Sequence, residues 1–314
     1  MVLGGQVPLI FFGVYNLLFL FRMMYNMGEM GNSMKLLIES KDKDNLLIDR
    51  VDGIILSLEG YSVESHDYYN IDEVEEIVQN KNCLVFVKMN KNFTNSEIDS
   101  VRDTLIRLDK IGVDGIFFYD LCVLELKKEL NLDIDLIWNQ THMVNNYKTC
   151  DYYYNKGVKY ALLGKEITLD EIIEIIHSSK ISCMVEVVSY PSVAFSKRKL
   201  VSNYYKNLKK DVVNPLTVLE KVSDMSYQFV ENKDGTSIFL DKIMNGTSII
   251  SLLYNCGCPY IIMRGYGIDN FSELVIDTMN YIHDGCKDLK YIDKWKVLGD
   301  YTNFFYKKTI YKVK

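Results

Sequence analysis

A chain of 314 residues with 48% hydrophobic and 25% charged residues lies in the ordinary globular range and holds one large domain or two small ones. Four prolines and no Ser/Gly-rich tract argue against a long linker or a disordered arm. A net charge of −6 argues against a stand-alone nucleic-acid binder while leaving room for a local basic patch, and seven mostly scattered cysteines do not read as a secreted disulfide framework, so reduced thiols in a cytoplasmic protein are expected.

Residues 1–33 do not match the rest. Val7 to Phe21 is an apolar run of 15 residues broken only by Asn16, shorter than the ~20 needed to span a bilayer. No Lys or Arg precedes it and no small-residue cleavage site follows, so it does not read as a signal peptide. It stands as a weak anchor, a docking segment, or the product of a start placed too far upstream. The last is the expectation, because Met34 directly precedes the first convincing strand.

From Met34 the chain alternates strand-like and helix-like segments. Strands are predicted at Lys35–Ser40, Gly53–Leu58, Cys83–Met89, Gly115–Asp120, Leu136–Thr141, Tyr160–Gly164, Cys183–Val188 and Tyr260–Arg264. Most are continuous apolar runs, the pattern of strands covered on both faces in a parallel sheet. Helices are predicted at Ile71–Gln79, Asn95–Lys110, Leu121–Leu130, Asn146–Lys156, Leu169–Ser178 and Phe271–His283. Asn95 and Thr168, each followed by acidic residues, read as N-caps, and Gly112 and Gly157 as helix stops. Eight such strands, with no glycine-rich turn after the first, predict an α/β fold of the (β/α)8 TIM-barrel type rather than an open doubly wound sheet. An insertion at about 196–255 separates strands 7 and 8 and contains a hairpin with Asp234-Gly235 as its turn.

Ligand chemistry in a barrel sits at the C-terminal ends of the strands. That rule selects Glu39, Glu59, Asn90, Asp120, Asn139, Gln140, Thr141, Glu166, Tyr190 and Arg264. The stretch from Cys183 to Lys206 is the most suggestive: a buried strand breaks at Tyr190-Pro191 and empties into Lys197, Arg198, Lys199 and then Tyr204 and Tyr205. Lys197, Arg198 and Tyr204 suit phosphate or a small dicarboxylate, or form a solvated basic loop. Glu166 reads as a base, as a partner for Lys197 or as a loop-orienting group, and Asp120 as a catalytic carboxylate or, more simply, a helix N-cap. Asn139, Gln140, Thr141 and Asn145 suit reading a base edge or satisfying a helix end. Of the four histidines, His142 alone is placed near the mouth. Cys256 and Cys258 are the one close cysteine pair and read as packing residues. The basic tail with Lys307, Lys308, Lys312 and Lys314 reads as an exposed end or an RNA contact.

Several segments carry a family resemblance in order along the chain: KIGVDGIFFYDLCVL (110–124), NQTHMVNN (139–146), GVKYALLGKEITLDEI (157–172), FSKRKLVSNYY (195–205), ENKDGTSIF (231–239) and NFFYKKTIYKVK (303–314). From Met34 onward the chain resembles the U32 peptidase family, the collagenase-like protease group. Within it the chain is similar to the short, cysteine-poor bacterial branch linked to tRNA 5-hydroxyuridine formation. The resemblance implies a barrel-like fold and a role in tRNA wobble-uridine hydroxylation, with prephenate implicated as hydroxyl source. It also implies work beside a second, longer U32 protein and binding of tRNA. Many members hold an iron–sulfur cluster on four cysteines that begin in the loop after strand 7. Here that loop, SYPSVAFSKRK, has none, so the family's cluster cysteines are expected to be absent and no cofactor is expected in this chain. Val188-Ser189 replaces a frequent His-Gly, and Ser237 replaces a frequent histidine. Two other readings stay open: a U32 peptidase, although G-x-S-x-G and H-E-x-x-H are absent, and a non-catalytic scaffold for a cysteine-bearing partner.

Overall fold

The computed structural model describes residues 34–306, apart from 41–42, 44–45, 141, 222–224, 300 and 302–304. The N-terminal extension 1–33, Thr141 and the tail lysines 307, 308, 312 and 314 therefore lie outside the described residues. Seven parallel strands come first: β1 (Lys35–Glu39), β2 (Gly53–Ser57), β3 (Leu84–Met89), β4 (Gly115–Phe118), β5 (Leu136–Trp138), β6 (Tyr160–Leu162) and β7 (Ser182–Ser189). Between them run α1 (Ile71–Gln79), α2 (Ile98–Ile111), α3 (Leu121–Leu130), α4 (Tyr147–Asn155) and α5 (Leu169–Ser178). An inserted segment follows, with β8 (Ser192–Ser196), α6 (Leu200–Leu208), β9 (Leu216–Glu220), β10 (Met225–Asn232), β11 (Gly235–Leu240) and β12 (Met244–Asn245). The chain then returns through α7 (Ile250–Asn255) to the last barrel strand, β13 (Tyr260–Arg264), and ends in α8 (Phe271–His283) and α9 (Lys290–Asp293).

The barrel order is β7-β13-β1-β2-β3-β4-β5-β6, and β6 pairs back onto β7, so eight parallel strands close on themselves. Closure explains the apolar runs. Leu37, Ile55, Phe86, Phe117, Ile137, Met184 and Ile262 fill the interior. Their neighbours Leu36, Ile54, Val85, Ile116, Leu136, Val185 and Ile261 pack outward under the helices. Side chains alternate with period two, so a strand covered on both faces is apolar at every position. Each such side chain taken from water stabilises the fold by roughly 1.5–3 kcal/mol.

Local signals place most boundaries. Asn70 and Glu73 close a capping box on α1, and Thr168 and Glu171 close one on α5. Gly112 ends α2 in the left-handed region at φ 83°. Two expectations are corrected. The α2 segment opens with a 3-10 turn at Asn95–Glu97 capped by Thr94, which shares a capping box with Glu97, so Asn95 is not the cap. The hairpin turn is Lys233-Asp234, because Gly235 already pairs with Asn232. Gly235 is needed for a different reason: a Cβ there would collide with the Ser196 carbonyl of β8.

The insertion forms its own antiparallel sheet, ordered β8-β11-β10-β9. One face carries α6, whose first amides Val201 N and Ser202 N donate to Glu231 at 2.9 and 3.2 Å. The other face turns to the barrel, where Glu64 N donates to Ser237 Oγ at 3.2 Å and Asn232 Nδ2 to Tyr68 Oη at 3.0 Å. Lys233–Glu59 at 2.6 Å and Lys91–Asp234 at 3.5 Å fasten it further. The insertion is thus a roof over the C-terminal ends of β1–β3. Among the described residues no helix is long and apolar enough to cross a membrane.

Candidate functional site

Two charged residues interrupt otherwise apolar strands: Lys88 in LVFVKM and Glu186 in SCMVEVVS. Both are buried, at 1% and 3% exposure, and a buried charge costs several kcal/mol unless paired. The fold pairs them. Lys88 Nζ donates to both oxygens of Glu39 at 3.2 Å. Arg264, at the end of β13, places Nη1 3.0 Å from Glu39 and Nε 2.8 Å from Glu186. Lys165, just after β6, reaches Glu186 at 2.8 Å. Ser57 and Ser65 donate to Glu39 at 3.2 and 2.5 Å, and Ser189 donates to Glu186 at 2.5 Å. Three cations and two carboxylates from five places around the barrel therefore form one network across its C-terminal mouth.

The network sets the ionisation of its members. Burial raises the Glu39 carboxyl, but Lys88, Arg264 and the Ser65 and Lys88 hydrogen bonds more than offset this and hold it at about 2. Glu186 follows the same balance, with burial outweighed by Arg264, Lys165 and Ser189, and also lies at about 2. Burial pulls the Lys88 ammonium down to about 8 against the pull of Glu39.

Above the network lies a cleft with about 480 Å³ of open space. Glu39, Ser57 and Arg264 line its floor, the loop after β2 supplies Glu64, Ser65 and His66, and Tyr190, Tyr266 and Phe239 complete its walls. Phe239 comes from β11, so the cleft is closed between barrel and roof. His66 stacks on Tyr266 within 5° of parallel and also meets Phe239, while Tyr190 stands edge-on to Tyr266. Burial, against a weaker pull from Glu39, lowers His66 to about 3, so its ring is neutral at physiological pH.

Of the residues selected at strand ends, Glu39, Tyr190 and Arg264 line this cleft. The other candidates lie apart from it. Asp120 caps α3, accepting from Cys122 N at 3.0 Å and Phe93 N at 2.9 Å. Gln140 donates to Tyr119 O at 2.6 Å and accepts from Trp138 Nε1 at 3.1 Å. Asn139 is buried, its amide donating to Phe118 O at 2.9 Å. Asn145 donates to His142 O at 2.8 Å, while its Oδ1 is buried without a hydrogen bond. Glu166 is half exposed, 3.4 Å from His142 Nδ1. Lys197 donates to Asn92 O at 3.0 Å, at the seam between roof and barrel. Arg198 and Tyr204 lie on the exposed turn and helix that follow.

His66 is a correction to the expectation that His142 alone lies near the mouth. Its distance in sequence from any predicted strand end hid it. Lys88, Lys165 and Glu186 were also missed as site residues, although a lone charge inside an apolar strand was a usable signal for Lys88 and Glu186.

The expectation that the family's cysteines are absent is overturned. The described chain contains seven free cysteines, Cys83, Cys122, Cys150, Cys183, Cys256, Cys258 and Cys286. Cys150 on α4, Cys183 at the start of β7, and Cys256 and Cys258 before β13 come from separate elements yet lie in electrostatic reach of one another. They do not fit a metal cluster. Burial raises Cys150 and Cys183 to about 12 and Cys256 to about 11, so these stand as neutral thiols. Among the described residues no three His, Cys, Asp or Glu side chains gather to hold a metal ion.

Comparison with known proteins adds three findings. A family model described as peptidase family U32 matches residues 44–261. The chain is 30% identical over 182 residues to tRNA hydroxylation protein P2 of Bacillus subtilis (strain 168), covering 58% of each chain. It is 22% identical over 157 residues to tRNA hydroxylation protein P1 of the same strain, covering 49% of this chain and 37% of that one. The match thus spans little more than half the length of the first of these relatives and less of the second. Among solved structures, 3-hexulose-6-phosphate synthase aligns over 81% of this chain and 100% of its own at 11% identity and a TM-score of 0.44, too low to carry a functional argument.

Proposed function

Because this chain belongs to peptidase family U32, we propose that it acts in the cytoplasm in tRNA wobble-uridine 5-hydroxylation, as one of two U32 proteins of which the other is longer. The observation that carries this reading is a run of cations on the roof. Between Phe195 and Lys210 the sequence has Lys197, Arg198, Lys199, Lys206, Lys209 and Lys210 and no carboxylate, in a chain of net charge −6. Lys197 and Lys199 donate to the backbone oxygens of Asn92 and Asn232, and among the described residues none of the six meets a carboxylate at ion-pair distance. Tyr204 stands half exposed beside them. Uncompensated cations with an exposed aromatic suit an RNA backbone, whose phosphates release counterions on contact and whose bases stack on rings.

In this reading Lys197, Arg198 and Tyr204 guide the RNA to the mouth. Asn139, Gln140 and Asn145 are assigned hydrogen bonding to an RNA base edge, away from the cleft. Glu166, 3.4 Å from His142, is the exposed acid–base pair of this reading, set apart from the cleft. The buried network of Glu39, Lys88, Lys165, Glu186 and Arg264 fixes the floor against which a ligand is held.

The test is binding of transcribed tRNA to the full chain across a salt series. The wild type is expected to bind with an affinity that falls steeply with salt. Charge reversal at Lys206, Lys209 and Lys210 to Glu should weaken binding and flatten the salt slope by about one unit per lost phosphate contact. Equal binding and an equal slope in the reversed variant would remove the roof from the assignment.

A further inference from the structure

The floor of the cleft is charged, yet its charges are spent on one another. Glu39 is held by Lys88 at 3.2 Å, Arg264 at 3.0 Å and two serine hydroxyls. Glu186 takes Lys165 and the other side of Arg264, each at 2.8 Å. Glu64 and Asp67 add further carboxylates to the lining. A phosphate entering the cleft would meet these carboxylates and find the cations below already engaged. The remaining wall is aromatic: His66 and Tyr266 stacked as a pair, with Phe239 and Tyr190 against them. An aromatic wall over a charged floor suits a planar ring more than a charged group.

We propose that the cleft takes up a single unstacked, uncharged nucleobase against the His66–Tyr266 pair, with the sugar–phosphate backbone kept outside along the cationic roof. This rests on the tRNA reading above and adds the place and orientation of the reacting nucleotide: base inward, phosphates outward. A ring slides against aromatic faces whatever its substituents, and hydroxyls such as Ser65 and Tyr190 border the space where its polar edge would lie. Because the site accepts only a base already out of its stack, it favours a nucleotide in a loop over one in a stem.

The experiment uses the full chain and an anticodon stem–loop RNA with 2-aminopurine next to the wobble position. The fluorescence of 2-aminopurine rises when its neighbour leaves the stack. Wild-type protein is expected to raise the signal on binding. Tyr266→Ala should abolish the rise and weaken binding about tenfold, the scale of one lost base–aromatic stack. Tyr266→Phe keeps the ring and should retain both. An RNA with an abasic wobble position should bind wild type and Tyr266→Ala alike. Circular dichroism of the variants confirms their fold. RNA binding without a fluorescence rise, or with equal affinity in Tyr266→Ala, overturns the base-in orientation while leaving the tRNA reading in place. No RNA binding by the wild type overturns both.

Discussion

Replacing Arg264 with Met separates the two halves of the buried network. Arg264 bridges Glu39 at 3.0 Å and Glu186 at 2.8 Å, and its side chain is 16% exposed. With an effective dielectric constant near 20, each contact is worth roughly 5–6 kcal/mol of gross attraction. Desolvation of the guanidinium offsets much of that, and breaking a buried pair by removing one partner costs about 3–5 kcal/mol net. Here each carboxylate keeps a second cation, Lys88 for Glu39 and Lys165 for Glu186. The expected loss is therefore at the lower end, about 3 kcal/mol. Urea unfolding of the full chain followed by circular dichroism measures it as a lower midpoint at an unchanged slope. A double-mutant cycle with Glu186→Gln should return a favourable coupling of about 1 kcal/mol or more. A loss below about 1 kcal/mol for Arg264→Met would refute the view that this arginine ties the mouth together.

Other outcomes follow from the same geometry. Acid should destabilise the chain in two stages. His66 is held near 3, below its free value of 6.5, so the unfolded chain binds more protons and stability declines as pH falls from 6.5. Glu39 and Glu186, held at about 2 against 4.5, contribute stability that is complete above 4.5 and is lost on the way to pH 2, on the order of 3 kcal/mol each. His66→Gln should move the onset of the acid limb from near 6.5 to near 4.5; an unchanged onset in a pH series of unfolding midpoints would contradict this. Gly235→Ala should cost about 1–3 kcal/mol in urea unfolding, because its Cβ meets the β8 backbone. Thr168→Ala should cost about 1 kcal/mol through the lost capping box on α5, read the same way. Asp120→Ala should cost about 1–2 kcal/mol of stability in the same assay, as a cap does; a variant that kept full stability while losing tRNA modification would make this residue catalytic instead.

The barrel was legible because strands covered on both faces leave no polar alternation, and runs such as GIILS and YIIMR can be little else. Four helices were predicted to the residue, since Asn70, Asp120 and Thr168 announce starts that the backbone then uses. Boundaries failed where two residue types compete for one role, as with Thr94 and Asn95. The site was legible only in part. Glu39, Tyr190 and Arg264 stand at strand ends, where the barrel rule looks for them. Lys88 and Glu186 sit within strands and are explained only by partners distant in sequence: Glu39 for Lys88, Lys165 for Glu186, and Arg264 joining the two carboxylates. His66 and Phe239 lie on a loop and an insertion whose approach to the mouth depends on the roof's docking, a tertiary fact with no local signature. The cysteines show the converse: scattered in the sequence, Cys150, Cys183, Cys256 and Cys258 are gathered by the fold from three regions of the chain.

The most direct test of the account is mass spectrometry of wobble-position nucleosides in tRNA from cells lacking this gene, complemented with either the wild type or Tyr266→Ala. The account predicts that 5-hydroxyuridine and its derivatives disappear on deletion, return with the wild type, and stay low with Tyr266→Ala. Unchanged 5-hydroxyuridine in the deletion strain would contradict it.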